Sequence, residues 1–197
     1  MIQSQLRELL LQSLEHERGG VKIYLTASRC AVNADLRLEW TRYLEQTEQH
    51  VDILTNVCVA LGIDPGMQTP GCQVVKNVGL SLIRAMEAAL AAGPPEAAQI
   101  VACECVVLAE TKDHADWELI GAAAKAAPPE IAQVLQAAYD RVEDEEDEHL
   151  YHTKGWCREL WLASLGLKAV LPPPEEKQNV KTAIGAAKAQ ADRMGKH

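Results

Sequence analysis

Phenylalanine is absent from the 197 residues, and aromatic side chains amount to only 4%. Ala and Leu must then fill the interior, a composition suited to packed helices. Val and Ile nowhere alternate with polar residues for long, so no strand is expected. No apolar run reaches membrane length. The amphipathic opening MIQSQLRELLLQSLEHE carries acids early and lacks the apolar segment of a signal peptide. Basic clusters are missing as well: the net charge is -9, which argues against a nucleic-acid partner. None of the six cysteines (Cys30, Cys58, Cys72, Cys103, Cys105, Cys157) forms a C-x-x-C pair. Most fall among apolar helical positions, so buried, reduced thiols and a cytoplasmic setting are expected rather than a zinc or disulfide framework.

What the chain does have is long helical periodicity, cut cleanly by Pro and Gly. Helix one is expected over about 4–31, then the turn VNADL with Asn33 or Asp35 as the next N-cap. Helix two runs to Leu61 and stops at Gly62. The loop GIDPGMQTPG leads to a shorter helix over about 72–92, ending at GPP. Helix three spans about 95–126, APP breaks it, and helix four spans about 129–165. After LPPP comes a last amphipathic segment, 175–194. Tight turns make antiparallel hairpins of helices one and two and of helices three and four. Two hairpins joined by a long crossover with its own helix describe an all-α, ferritin-like four-helix bundle over residues 1–166. Residues 167–197 form a Pro-rich linker and tail.

Each long helix interrupts its apolar stripe with groups that ligate metals. Helix one reads Leu6, Leu10, Leu14, Glu17, Val21, Leu25, with a carboxylate at mid-helix. A buried lone carboxylate costs several kcal/mol, so it needs a partner, a proton or a metal. Helix two has Thr47 on its line, flanked by Glu48 and His50. Helix three offers Glu110, with His114 on its line and Asp113 adjacent, and Glu104 competes as an inward acid. Helix four contains the run VEDEEDEHLYH, in which six consecutive acids must point all around the helix. Glu145 or Glu146 belongs with His149 on the inner face, and Glu146-x-x-His149 projects from one side. Di-iron and di-manganese bundles use one Glu from each of two helices and E-x-x-H from the other two. Here the helix-two motif is broken, because Thr47 stands where the glutamate would be. The spacings Glu17 to His50 and Asp113 to Glu146 are both 33 residues, yet one ends on His and the other on Glu, so the two halves are not clean copies.

Several segments resemble the YciF-type ferritin-like family of bacterial stress-associated proteins. These are YLEQTEQHVDILTNVCVALGIDP, the crossover PGCQVVKNVGLSLIRAMEAAL with its early Cys72, and PPEAAQIVACECVVLAETKDHADW with Glu110, Asp113 and Trp117. Glu17 and Glu48 match acids of the first two helices, and the similarity covers about residues 1–165. The resemblance implies a rubrerythrin-like dinuclear metal site and a homodimer.

Carboxylates and imidazoles together suit iron or manganese. The expected ligands are Glu17, Glu48, His50, Glu110, Asp113, Glu146 and His149, with peroxide or dioxygen as the small oxidant. Tyr24, Tyr43 and Trp117 fall near that site. The competing expectation is a metal-free, degenerate bundle whose tail, with Val180, Ile184, Ala187 and Met194 on one side, packs on a partner.

Overall fold

The computed structural model describes residues 4–194, and those residues form seven helices and no strand. They are α1 (Ser4–Cys30), α2 (Ala34–Ala60), α3 (Pro70–Ala92), α4 (Pro95–Ala126), α5 (Pro129–Ser164), α6 (Pro174–Lys177) and α7 (Ala183–Met194).

Local chemistry sets their ends. The Asn33 side chain accepts from the backbone N–H of Asp35 at 2.9 Å and of Leu36 at 3.1 Å, which opens α2. Thr69 caps α3 by accepting from Cys72 N, and Pro70 takes the first turn, so α3 starts ahead of Cys72, where the periodicity puts it. Gly62 (φ 70°) and Gly166 (φ 72°) close α2 and α5 in the left-handed region that favours glycine.

Neighbouring long helices run antiparallel. Glu17 and Tyr24 of α1 meet His50 and Tyr43 of α2, in reversed order. His114 and Glu104 of α4 meet Asp147 and Trp161 of α5. Ser13 and His16 of α1 meet Asp116 and Ala109 of α4. Glu39 and His50 of α2 meet Trp156 and Glu145 of α5. Consequently α2 and α4 point the same way, and the chain must travel back the whole length between them. The 23 residues of α3 make that return, roughly 35 Å at 1.5 Å per residue, packed on α1 and α4.

The interior holds two apolar clusters, one toward each end. One contains Leu10, Leu14, Ile53, Leu54, Trp117, Ile120, Leu135 and Val142. The other contains Ile23, Tyr24, Leu36, Trp40, Tyr43, Val106, Trp156 and Leu160. On every long helix the two clusters leave a gap at the same level, at residues 16–20, 47–50, 110–116 and 146–153. All six cysteines are free, and all but Cys157 are buried.

The tail departs from the single segment expected over 175–194. It breaks after α6, where Asn179 adopts φ 48°, a conformation Asn tolerates better than most residues. It then folds back on its own bundle. Arg158 donates to both oxygens of Glu175 at 2.6 and 2.9 Å. Gly155 makes room, since a Cβ there would stand 2.7 Å from Glu175 Oε2. Val180 and Ala189 are buried, whereas Ile184 is 84% exposed. Ala187 is exposed too, and the Met194 side chain lies outside the described residues.

Candidate metal centre

The gap between the apolar clusters is filled by charged side chains. Glu17, His50, Glu110, Asp113, Glu146 and His149 are all at most 3% exposed. Ligand atoms of Glu17, His50 and Glu146 lie within 4.8 Å of one another, as do those of Glu110, Glu146 and His149. Glu146 therefore belongs to both groups. His50 Nδ1 is 3.0 Å from Glu146 Oε1 and 3.6 Å from Glu17 Oε1. His149 Nδ1 is 3.4 Å from Glu146 Oε1 and 3.6 Å from Glu110 Oε2.

These atoms approach one another without hydrogen bonding. Glu17 Oε2, Tyr24 Oη, His50 Nδ1, Glu110 Oε2, Asp113 Oδ1, both Glu146 oxygens and His149 Nδ1 are buried and lack a hydrogen-bond partner. Native interiors hold only a few such atoms per hundred residues, and here eight share one place. Five of the residues that carry them also bring ligand atoms within 4.8 Å of one another in the two groups, a spacing that a cation could satisfy.

The other face of each imidazole is held. His50 Nε2 donates to Glu145 Oε2 at 2.8 Å, and His149 Nε2 donates to Gln46 Oε1 at 3.0 Å. A proton on Nε2 leaves Nδ1 as the free lone pair, and an acceptor behind the ring fixes its orientation. The supports are reciprocal. Gln46 precedes Thr47 on α2 and reaches the histidine of α5, while Glu145 precedes Glu146 on α5 and reaches the histidine of α2. Similarly, Trp117 of α4 donates Nε1–H to Glu17 at 2.9 Å, and Tyr24 of α1 sits seven residues past Glu17 as Trp117 does past Glu110. Glu17 pairs with Glu110, Thr47 with Glu146 and His50 with His149, so the halves do correspond. The helix-to-helix interval is 33 residues in one (50 − 17) and 39 in the other (149 − 110).

Burial raises Glu17 to about 7. Burial and the Glu146 carboxylate raise Glu110, and burial with its acidic neighbours raises Asp113 well above the usual range. Burial opposes charge on His149, but Glu110 and Glu146 outweigh it and lift the imidazole to about 9. His50 is raised in the same way by Glu17, Glu145 and Glu146. Burial would raise Glu146 too, yet His149 and His50 hold it well below the carboxylate range. The cluster thus draws positive charge, as protons or as metal.

Of the seven residues expected as ligands, five form the two groups and Asp113 lies beside them. Asp113 Oδ2 is 4.0 Å from His16 Nε2, and Asp113 is in neither three-ligand group. Glu48 is a correction: it is exposed, because one residue turns about 100° around a helix and the inward position is Thr47. Thr47 packs its methyl toward α1, where Cγ2 would lie 3.1 Å from a Cβ on Gly20. Glu48→Gln is accordingly expected to leave the metal content unchanged, measured by elemental analysis of the purified variant. Glu104 is exposed and accepts from Trp161, and half-exposed His114 pairs with Asp147 at 2.6 Å.

Further residues complete the surroundings. Gln46, Glu145 and Tyr43 line the ligands, and the Tyr43 ring lies 4.0 Å from that of His149. Glu39, His152 and Glu176 form another close group toward α6. There Tyr43 and Trp156 donate to Glu39, and burial and Glu39 push Glu176 up to about 9, so a proton on Glu176 satisfies the pair. None of the comparisons with family models, curated proteins and solved structures finds a match to this chain.

Proposed function

We propose that the chain is a ferritin-like redox protein of the YciF type, acting as a cytoplasmic homodimer with a dinuclear iron or manganese centre. One cation would be held by Glu17, His50 and Glu146, the other by Glu110, His149 and Glu146. The observation that carries this reading is the set of eight buried polar atoms without hydrogen-bond partners in the gap, the two oxygens of Glu146 among them. Carboxylate oxygens with one imidazole nitrogen per position suit iron or manganese better than zinc or calcium. When bound, such ions supply one-electron chemistry toward peroxide or dioxygen.

The chain's own residues do the rest. Gln46 and Glu145 hold the imidazoles in one tautomer. Trp117 fixes Glu17 through one oxygen and leaves the other free. The two apolar clusters keep bulk water away. Tyr24 and Tyr43 lie against His149, with ring centroids at 5.9 and 4.0 Å, close enough to pass an electron to or from the centre.

The test is metal analysis of protein purified without chelator, followed by addition of peroxide to the reduced form. About two ions per chain and stoichiometric peroxide consumption are expected. Fewer than about one iron or manganese per chain would favour the metal-free bundle, which Thr47 in the glutamate's place makes the natural competitor.

A further inference from the structure

A cavity of about 300 Å³ lies between α4, α5 and residues 182–184 of the tail. Its lining includes Trp117 and Glu146, the residue shared by both ligand groups. Glu146 is 1% exposed, and both its oxygens lack hydrogen-bond partners. Glu118, Glu143 and Asp147 line the same cavity, and no lysine or arginine does. His114, also on the wall, is engaged by Asp147 Oδ1 at 2.6 Å and lies 4.0 Å from Glu118 Oε2. The larger groove beside Glu39 and His152 is lined by none of the five ligands.

We infer that divalent cations reach the centre through this cavity, drawn in by Glu118, Glu143 and Asp147 and handed to Glu146. The inference rests on the dinuclear reading and adds its port. A cleft of one charge with low-dielectric walls focuses the field and concentrates counter-ions, which speeds their arrival. Glu143, Asp147 and Glu146 fall within four residues on α5, so turns of one helix carry the wall and the floor. The acidic run of α5 thereby has a division of labour: Glu146 ligates, Glu145 orients His50, and Glu143 and Asp147 guide.

The experiment follows Fe²⁺ uptake by metal-depleted full-length protein under argon, using quenching of tryptophan fluorescence. Glu118 and Glu143 are exposed, so the double variant E118Q/E143Q keeps the fold. It should load roughly 5- to 20-fold more slowly at low salt, and the difference should vanish near ~1 M salt, where screening acts within about 3 Å. Its final iron content should equal that of the unaltered protein. E48Q/D52N removes two exposed charges from α2 and should load at the unaltered rate. Equal rates for E118Q/E143Q and the unaltered protein, or equal slowing by E48Q/D52N, would overturn the port. If the unaltered protein bound no iron, the dinuclear reading would fail, and the port with it.

Discussion

Replacing Glu146 by Gln is expected to remove both cations from the bundle at once. Gln keeps the volume and one acceptor oxygen but lacks the charge that two divalent ions would share. Glu146 is the only residue common to the two ligand groups of the centre. In a symmetric dinuclear site a second bridging carboxylate would soften the loss. Here Thr47 occupies that position and its methyl packs toward Gly20, so nothing on α2 compensates. Removing only a supporting hydrogen bond behind a ligand typically costs 10- to 100-fold in affinity, so loss of a shared ligand should exceed ~100-fold. Glu17→Gln and Glu110→Gln should each lose one ion and keep the other, because each acid belongs to one group. Elemental analysis of the three variants gives the pattern: about none, one and one per chain. Retention of both ions by Glu146→Gln would defeat the shared-carboxylate geometry. Loss of both in all three would point to collapse of the site, which the helical circular-dichroism signal would reveal.

Why these positions, and not others, could be read from the chain follows from how burial writes itself into sequence. A polar residue breaking an apolar stripe leaves a local mark, and Glu17, Glu110 and the inner pair on α5 carried it. Choosing Glu145 or Glu146 was beyond that signal, because neighbours lie 100° apart and the apolar stripe is wider. Both turn out to matter, one behind His50 and one in front of it. Glu48 misled for the converse reason. It was expected on a family likeness rather than on helical phase, which places Thr47 inward. Gln46 left no mark at all, since its role depends on a partner about a hundred residues away. The correspondence of the two halves was hidden by unequal helix lengths, 27 and 27 residues against 32 and 36. The break in the tail rests on one Asn in a left-handed conformation, which Asn allows but does not demand.

Metal should stabilise the protein strongly, and more so as pH rises. Glu17 titrates near 7 in the folded chain against 4.5 as reference, so its contribution is full below about 4.5 and is lost as pH climbs through 7. Glu110 and Asp113 shift in the same direction. His149, at about 9 against 6.5, contributes fully below 6.5 and loses that contribution as pH passes 9. Glu146 is lowered, so its share is constant above its unfolded value. His16, lowered to about 4, acts in the opposite sense only below 6.5. Between pH 6.5 and 9 the metal-depleted protein should therefore lose stability steadily. Bound cations would take the place of those protons, and their binding would release what remains. Each ion at about 100 times its Kd adds about 2.7 kcal/mol, and two ions in a chain of this size should raise Tm by roughly 10–20 °C. Thermal melts with and without Mn²⁺ at pH 6.5, 7.5 and 9 check both statements. The increment should widen toward pH 9; in Glu17→Gln the increment should shrink, while the slope above pH 7, which His149 sets, should remain. A metal-depleted Tm that holds level across this range, or an Mn²⁺ increment that does not grow, would mean that protons and cations do not compete for the same buried groups.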